Sequence, residues 1–556
     1  MPPRFVCRLM LVPLAATALG AGTPGPASPT APWLPDRGDG TYQNPILFAD
    51  YSDPDVVRVG DDFYLTASSF TAAPGLPILH SRDLVNWTII GHALPRNIPE
   101  ARFTVTTPGS GVWAPSLRFH AGKFYLYYPD PDEGIYVVTA TDPAGPWSPP
   151  VMVKAGKGLI DPCPLFDNDG KVWLVHGWAR SRSGRNNLLT LIPLNAEGTQ
   201  PLADGQDIVL GDSFKVTTLE GPKFYHFNGW YWIFAPVGGV GGGTQAVFRS
   251  KVIAGPYEYR SVLEQGSTPT NGPHQGGLVD TPDGKDWWFI HFQDDGVYGR
   301  VTHLEPVAWR PDGWPVMGDD AGATGTGHPV LVHAKPALPA TPPTTPATTD
   351  AFEAPELGLQ WQWAANPQPG WFSLGGQPRV LHLVPQPKTP TLAGQPNLLL
   401  QKFPSSEFRV TTQLNATALA IGAQAGLVVW GTPCVALAAT RTAGGLSLAP
   451  VLQRAGGGRG VTDPASGPAA VKGPMVTLAL TITRGPGTGV NSQAVAQFNF
   501  SEDGLTFTKI GPATTISKIA GAWMGAKYGL FAVAPTDLKD AGTAAFAWFH
   551  VTAPTP

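Results

Sequence analysis

The chain has 556 residues, of which 14% are charged, and a formal net charge of −4 at pH 7. This length allows two to four domains, each large enough for its own core, while the near-neutral charge leaves no broad basic surface for nucleic acid or anionic lipid. Aromatic residues make up 10% of the chain and include 18 Trp, whose flat faces suit a hydrophobic core or a sugar ring.

The N-terminal residues 1–22 have the pattern of a secretory signal peptide. Arg4 and Arg8 supply positive charge, an apolar run follows from Leu9 to Leu19, and small residues come next. The run is too short to span a bilayer. We therefore predict export to the periplasm or the medium, with no membrane partner after cleavage, and a Pro/Gly/Ala-rich disordered leader in residues 23–41.

The cysteines indicate neither a disulfide framework nor a metal cluster. Of the three, Cys7 belongs to the signal peptide, and Cys163 and Cys434 fall in different predicted domains. No Cys/His cluster has the spacing of zinc ligands. We expect ordinary hydrophobic cores to stabilise the protein.

Residues 42–320 consist of short strand-like runs separated by Gly, Pro and Asp. A glycine precedes an aromatic-rich strand five times, at intervals of roughly 50–60 residues. These glycines are Gly60, Gly122, Gly170, Gly229 and Gly284. Four-stranded units with such a period are typical of propeller blades, whereas a sandwich, the alternative, rarely repeats at a fixed interval. We predict a five-bladed β-propeller.

Residues 321–349 form a Pro/Thr-rich linker, which is expected to be extended. Strand-like runs resume in residues 350–556, where Asp503-Gly504 predicts a hairpin turn. Because this half has no repeat, we predict a β-sandwich. The fold class is therefore all-β, with a propeller followed by a sandwich.

A distinctive residue beside a proline precedes each repeated glycine. The motifs are DP at 53–54, WAP at 113–115, DP at 161–162, EGP at 220–222 and PH at 273–274. Since the first strand of every blade is innermost, these positions should meet around the propeller axis. Carboxylates brought together raise one another's pKa, which proteins rarely tolerate for packing alone. Hydrolysis of a glycosidic bond requires such a set, with one acid protonated and another ionised.

Five stretches, in the correct order, resemble glycoside hydrolase family 43. They are YSDPDVVRVGDDFYLTASSF, VWAPSLRFHAGKFYLYY, LIDPCPLFDNDGKVWLVHG, LEGPKFYHFNGWYWIF, and NGPHQGGLVD with VYGRV. The C-terminal half resembles the concanavalin-A-like, jelly-roll sandwich of β-xylosidase-type members. The resemblance implies an inverting exo-glycosidase that releases xylose or arabinose from xylan or arabinoxylan of plant cell walls. It implies β-1,4-xylosidase activity first and α-L-arabinofuranosidase activity as the alternative.

The resemblance also implies roles for three carboxylates. Asp53 is similar to the general base, Glu220 to the general acid, and Asp161 to the residue that tunes the pKa and the orientation of the acid. For an inverting enzyme the carboxyl groups of Asp53 and Glu220 should lie about 6.5–9.5 Å apart, with a water between them. The chemistry requires no cofactor, and the partner is an oligosaccharide or polysaccharide.

Aromatic and cationic residues complete the expected substrate site. Phe70 and Trp113 resemble walls of the sugar site, although both suit a blade core. Arg300 resembles the arginine that binds substrate hydroxyls or steadies the carboxylates. His274 resembles a histidine that approaches a hydrated structural calcium ion near the axis, and an ordinary hydrogen-bonded core histidine is the alternative.

Two further interpretations come from the residues themselves. Asp55, Asp61 and Asp62 are predicted to be turn residues that face solvent. A non-catalytic, glycan-binding propeller is the alternative from another functional class, and it gives no reason for the carboxylates to converge. The oligomeric state, the choice between xylose and arabinose and the choice between exo and endo action stay open.

Overall fold

The computed structural model describes residues 31–377, 379–454 and 467–554. The predicted signal peptide and residues 23–30 of the predicted leader lie outside these ranges. The described chain forms five four-stranded sheets, then two larger sheets, with few short helical turns between them. The predicted all-β fold, a five-bladed propeller followed by a sandwich, is confirmed.

Each propeller blade is an antiparallel meander whose four strands follow in chain order. Blade one contains Asp55–Val59, Asp62–Thr66, Gly75–Ser81 and Thr88–Leu94, and blade two contains Ser116–His120, Lys123–Asp130, Gly134–Ala140 and Val151–Ala155. Blade three contains Leu159–Phe166, Val172–Trp178, Leu188–Leu194 and Gln206–Leu210, and blade four contains Lys223–Phe227, Trp230–Val237, Thr244–Ser250 and Glu258–Leu263. Blade five contains His274–Asp280, Trp287–Asp294, Arg300–Trp309 and Pro315–Met317.

The repeated glycines have one structural reason. Each lies in the tight turn between the first and second strands of its blade and has a positive φ, from 63° at Gly60 to 80° at Gly170. Residues with a Cβ adopt this conformation rarely, whereas glycine adopts it without a steric penalty. The sequence period is therefore the period of these hairpins.

Hydrophobic cores lie between neighbouring blades and close the ring. Leu76 of blade one packs in the same cluster as Leu126 of blade two. On the other side of blade one, Leu65 shares a cluster with Val279 and Ile290 of blade five. Because the last blade packs against the first, the propeller is closed without a long exposed sheet edge.

The C-terminal half is a sandwich of two mainly antiparallel sheets. In hydrogen-bonded order, one contains Gln362–Trp363, Leu399–Lys402, Lys527–Ala534, Gln424–Trp430, Cys434–Thr442, Gly445–Gln453 and Ala469–Val471, with Gln386–Pro387 beside Lys527–Ala534. The other contains Phe372–Gly375, Val380–Leu383, Ala544–Thr552, Phe408–Asn415, Met475–Arg484, Ala494–Ser501 and Thr508–Ile516. Leu427 and Leu530 of the first sheet pack with Leu478 and Phe546 of the second, as alternating strands predict.

Short helical segments and one strand pair complete the described elements. The α-helical turn is Arg180–Ser183, and the 3₁₀ turns are Glu100–Thr104, Gly211–Phe214, Gly296–Tyr298, Leu392–Gly394 and Gly489–Asn491. Thr41–Gln43 pairs with Val332–Ala334. Cys163 and Cys434 are buried free thiols, and none of the described helices is long and apolar enough to cross a bilayer.

Residues 31–41, which were predicted to be disordered, and the linker, which was predicted to be extended, both make specific hydrogen bonds. Asp36, in the predicted disordered leader, accepts a hydrogen bond from Lys335 at 2.6 Å. Thr341 of the linker donates to Asp83 of blade one at 2.7 Å. The disorder expected for residues 31–41 is therefore wrong, because composition does not show that Lys335 of the linker and Asn86 of blade one donate to Asp36.

The two domains share part of one core. The turn Gly296–Tyr298 of blade five carries Val297 and Tyr298 into the hydrophobic cluster of the sandwich. Lys518 of the sandwich donates to Asp294 of blade five at 3.3 Å. The sandwich therefore holds the loop that leads directly to Arg300.

Candidate active site

A cavity of about 280 Å³ lies at the propeller axis where the sandwich covers it. All three predicted catalytic carboxylates line this cavity, as do Phe70, Trp113 and Arg300. The remaining lining residues are Ala114, Ile160, Thr218, Gly239, Val240, Gln275 and Trp523. The volume is near the lower end of the range for small-molecule pockets.

Asp53 is surrounded by hydrogen-bond donors. Its Oδ1 accepts from Arg300 Nη1 at 2.6 Å, and its Oδ2 accepts from Ser68 Oγ at 2.6 Å and from Ser52 Oγ at 3.1 Å. Its φ of 53° is in the left-handed region, which aspartate tolerates better than most residues. A guanidinium and two hydroxyls therefore all donate to this one carboxylate.

Asp161 differs from Asp53 in the charges that surround it. It occupies the same position in blade three and has nearly the same backbone conformation, with a φ of 55°. Burial, with the neighbouring charges of Glu220 and Asp53, raises the pKa of Asp161 to about 8, against the opposing effect of a hydrogen bond from Gly221 N. The Asp161–Glu220 pair therefore retains a proton in the neutral range.

Glu220 is the most open of the three carboxylates. Its side chain is 30% exposed, and its Oε1 lies 3.0 Å from Nε2 of buried His274. The next residue, Gly221, has a φ of 59°, and a Cβ there would lie 2.7 Å from the side chain of Gln275. Glycine at 221 therefore allows the turn that aims Glu220 into the cavity.

Arg300 is fixed by both domains. Asp50 accepts from the backbone N–H of Arg300 at 2.9 Å with one oxygen and from Gly525 N of the sandwich at 3.0 Å with the other. The guanidinium lies 4.7 Å from the ring centre of Phe292 and 6.0 Å from that of Trp523. The sandwich thus helps to hold the cation that pairs with Asp53.

Phe70 and Trp113 both reach the cavity, and each also has a structural contact. Phe70 packs in a cluster with Trp430 of the sandwich. Trp113 donates from Nε1 to Gly109 O at 2.8 Å, and Arg182 lies 5.4 Å from its ring. Each of these two side chains is therefore both a wall of the cavity and part of the packing around it, so the two predicted alternatives do not exclude each other.

The predicted calcium site depends on the groups that surround His274. Its Nδ1 is buried and has no hydrogen-bond partner among the described residues, while its Nε2 contacts Glu220. Calcium requires six to eight ligands, nearly all oxygen, and within the described ranges His274 belongs to no group of three metal-ligating side chains. The side chains around His274 do not form a calcium site, and the ion stays a prediction.

Asp55 does not face solvent, so that prediction was wrong. It is fully buried and accepts from Arg118 at 2.7 Å and from Leu117 N at 2.8 Å. Lys223 Nζ lies 3.8 Å away. Because Asp55 begins the innermost strand of blade one, it ties blades one, two and four together. Asp62 is also paired, with His80 at 2.8 Å.

Trp523 is the site residue that the sequence did not indicate. It lies in the loop before the sandwich strand Lys527–Ala534, is 49% exposed, and lines the cavity opposite the propeller. The repeats that indicated the other site residues belong to the propeller, whereas Trp523 belongs to the sandwich. A signal for Trp523 would have required knowing where the sandwich docks.

The site combines a carboxylate paired with an arginine, a second pair of carboxyl groups in which the pKa of Asp161 is raised to about 8, and aromatic walls. A protonated acid and an ionised carboxylate facing one cavity are the machinery of glycosidic-bond hydrolysis. Fold and site together therefore define a propeller glycosidase.

Comparisons with known proteins agree with this class. Residues 42–315 match the family model "Glycosyl hydrolases family 43", and residues 349–552 match the model "Beta xylosidase C-terminal Concanavalin A-like domain". A putative beta-xylosidase of Xylanibacter ruminicola is 42% identical over 68% of this chain and 69% of its own. A non-reducing end alpha-L-arabinofuranosidase of Bacteroides ovatus is 35% identical over 70% of this chain and 73% of its own.

A solved structure matches both domains. The xylan beta-1,4-xylosidase of Bacillus halodurans has a TM-score of 0.79 and 27% identity, over 92% of this chain and 99% of its own. The chain belongs to glycosyl hydrolase family 43 and is a glycoside hydrolase.

Proposed function

We propose that the protein is an exo-acting, inverting glycosidase that releases pentoses from xylan-type glycans, with β-1,4-xylosidase activity first. The observation that carries this proposal is the asymmetry among the carboxylates. Asp53 is paired with Arg300 at 2.6 Å, whereas burial and neighbouring acids raise the pKa of Asp161, beside Glu220, to about 8. The non-catalytic alternative gives no reason for this convergence.

In the proposed reaction, Glu220 donates its proton to the glycosidic oxygen. Asp53 takes a proton from a water whose oxygen attacks the anomeric carbon from the opposite face. The bond from that carbon to the leaving oxygen breaks, the sugar is released with inverted configuration, and each carboxyl group then returns to its starting protonation state through solvent. Of the acid pair, Glu220 is the member open to the cavity, so it is the one that can reach the substrate.

Asp161 acts on Glu220 and does not contact the substrate in this proposal. Its carboxyl group is buried and accepts from Gly221 N. Because the pair holds a proton at neutral pH, an ionised Asp161 opposes ionisation of Glu220, so the proton lies on Glu220 when Glu220 acts as the acid. Arg300 neutralises Asp53 and offers donors to substrate hydroxyls. Phe70, Trp113 and Trp523 supply apolar faces for the sugar ring.

Exo action is supported by the closure of the cavity. Val240 of blade four and Trp523 of the sandwich both line the cavity, so two domains contribute its walls, and this arrangement favours the end of a chain over its middle. Products from xylohexaose test this directly. We expect xylose and xylopentaose as the first products, and xylotriose as the main early product would contradict exo action.

The reaction itself is tested by product stereochemistry. ¹H NMR during hydrolysis of xylobiose should show α-xylose before mutarotation, because an inverting enzyme turns a β linkage into the α anomer. β-xylose as the first product would overturn the assignment of Asp53 as a general base.

The choice between xylose and arabinose needs a rate comparison. The relatives carry both names, beta-xylosidase and alpha-L-arabinofuranosidase. Initial rates on nitrophenyl β-D-xyloside and nitrophenyl α-L-arabinofuranoside should favour the xyloside. A higher kcat/KM on the arabinofuranoside would make arabinofuranosidase, the second candidate, the main activity.

The chemistry needs no cofactor, since acid, base and water suffice. The predicted calcium ion at His274 enters no step. Dialysis against EGTA should leave kcat unchanged, and a loss that calcium restores would show that the ion supports the site.

Export is proposed from the first 22 residues. Expressed from Met1 in a Gram-negative host, the protein should appear in the periplasm with a new N-terminus near residue 23. An intact N-terminus in the cytosol would contradict export.

A further inference from the structure

A second cluster of ionisable side chains lies inside blade five. His291, on the second strand, is directly opposite His303 on the third, and Glu305 follows two residues later on the same face. Their ligand atoms all lie within 4.8 Å of one another. His291 and Glu305 are fully buried and His303 is 2% exposed. None of them lines the active-site cavity.

His303 has no hydrogen-bond partner among the described residues, at either ring nitrogen. A neutral imidazole always carries one N–H and one lone pair. Burying both without a partner is costly, and such groups usually indicate an absent ligand, water or ion. A ligand that accepts the lone pair would remove the larger part of this cost.

His291 faces Glu305 in an orientation that requires a cation between them. Its Nδ1 lies 3.1 Å from the carbonyl oxygen of Phe292, which can only accept, so Nδ1 carries the proton. In the neutral ring, Nε2 is then a lone pair, and it lies 3.1 Å from Oε1 of Glu305. Two acceptors at this distance repel unless a proton or a metal ion lies between them.

The ligand set fits zinc better than the other common metals. Two imidazoles and one carboxylate form a well-known zinc donor set, with a fourth position for water. Two ligands at about 2.0–2.1 Å from one tetrahedral ion are about 3.3 Å apart, close to the 3.1 Å between His291 and Glu305. Calcium and magnesium prefer oxygen donors.

The surroundings also match a metal site. A metal-bound histidine usually donates its other N–H to a backbone carbonyl, as His291 does. The second oxygen of Glu305 accepts from Val330 N at 2.8 Å, which fixes the carboxylate. We propose that His291, His303 and Glu305 bind one zinc ion inside blade five, as a structural site separate from the active site.

A zinc ion at this site would hold together the second and third strands of blade five, and the third strand begins with Arg300 of the active site. His303 is three residues beyond Arg300 on one strand, about 10 Å along it at the usual rise per residue. His291 is three residues before Asp294, the direct partner of Arg300. Zinc would therefore stabilise blade five without touching the substrate. The competing occupant is a proton shared by His291 and Glu305.

Metal analysis distinguishes the two occupants. The untagged full-length protein is expressed with ZnCl₂ in the medium, dialysed against metal-free buffer and analysed by mass spectrometry for metals. Matched variants are Glu305→Gln and His303→Gln at the site, with Glu258→Gln and His120→Gln as surface controls. We expect about one zinc ion per chain in the wild type and in both controls. In both site variants the zinc content per chain should fall by about tenfold or more.

Stability and spectroscopy supply independent readouts. A zinc chelator should lower the melting temperature of the wild type but not that of Glu305→Gln. Protein grown with cobalt in place of zinc should show the visible bands of a tetrahedral Co²⁺ ion with nitrogen and oxygen ligands.

The proposal fails under any of three results. These are less than about 0.1 zinc per wild-type chain, unchanged zinc in both site variants, or an anomalous diffraction peak away from these three residues. The last measurement uses wild-type crystals and decides the matter even where neither variant folds. A wild type without zinc would assign the site to the shared proton.

Discussion

The propeller and the sandwich differ in where they keep their charges. The propeller buries Asp53, Asp55 and Asp161 at its axis, each beside a cation or another acid. Among the described residues of the sandwich, Lys527 is the one buried charged side chain, at 2% exposure, and no carboxylate is buried there. A ring of inner strand ends brings polar groups from several blades together, whereas two stacked sheets can bury only what packs without solvent. The propeller therefore supplies the chemistry, and the sandwich supplies shape and support.

The largest expected effect tests whether the chemistry belongs to the propeller. Glu220→Ala should lower kcat/KM on xylobiose by about 10²–10⁴-fold, because its leaving group must be protonated. The loss on a nitrophenyl xyloside should be much smaller, since nitrophenolate leaves without help. Glu258→Ala, at an exposed glutamate of blade four, is the control. Equal losses on both substrates would remove Glu220 from the role of general acid.

The next prediction concerns the free energy of unfolding that is lost by burying the carboxyl group of Asp161. The pKa of Asp161 is about 8 in the folded protein against an ordinary 3.8. Between these pH values the folded state binds a proton that the unfolded chain releases, so this group destabilises the fold increasingly as pH rises from about 4 to 8. Asp161→Asn should therefore raise the free energy of unfolding by about 4 kcal/mol at pH 7, with no gain near pH 4, and should reduce activity.

Urea unfolding at both pH values measures this difference. Asp204→Asn, at an exposed aspartate, serves as the control and should show no such pH dependence. A variant less stable than wild type at pH 7 would mean that Asp161 is paired more favourably than its burial indicates.

A smaller effect tests the contribution of the sandwich. Trp523→Ala should reduce kcat/KM on xylobiose by about 2–10-fold, because an apolar face of the cavity is lost while acid and base remain. The pH profile should keep its shape. Leu505→Ala, at a residue that is 86% exposed in the sandwich, should change nothing. A changed pH profile would show that Trp523 acts on the carboxylates.

The smallest effect concerns the contact between the domains. Lys518→Ala removes the ion pair with Asp294, whose lysine side chain is 34% exposed, and should cost only about 0.2–1 kcal/mol. Calorimetry at low and high salt measures the change, which salt should diminish. A separate melting transition for the sandwich would mean that this pair, rather than the shared core around Tyr298, holds the domains together.

The sequence predicted the three carboxylates because the repeat showed where each of them lies within its blade. Asp53, Asp161 and Glu220 precede the hairpin glycine of three different blades, so their convergence followed from the period alone. Asp55 was misread because its two-residue distance from Asp53 says nothing about which side chain faces Arg118. Strand alternation and blade packing decide that, and both are long-range.

The cluster of His291, His303 and Glu305 escaped the same analysis. Metal-binding motifs are recognised in a sequence by the spacing of Cys and His, whereas these residues are brought together by the pairing of two antiparallel strands. Trp523 was missed for a related reason, since its contact with the cavity depends on how a second domain docks.

By itself, the sequence determined the all-β fold, the number of blades and the acids that line the axis, because hairpin glycines and alternating strands act locally and repeat. Only the tertiary structure decided the protonation asymmetry of those acids, since the pKa of Asp161 depends on burial and on charges from other blades. Only the tertiary structure shows that Trp523 lies over the cavity and that the linker is hydrogen-bonded to blade one. Electrostatics and domain docking sum over contacts distant in the chain, which no local pattern records.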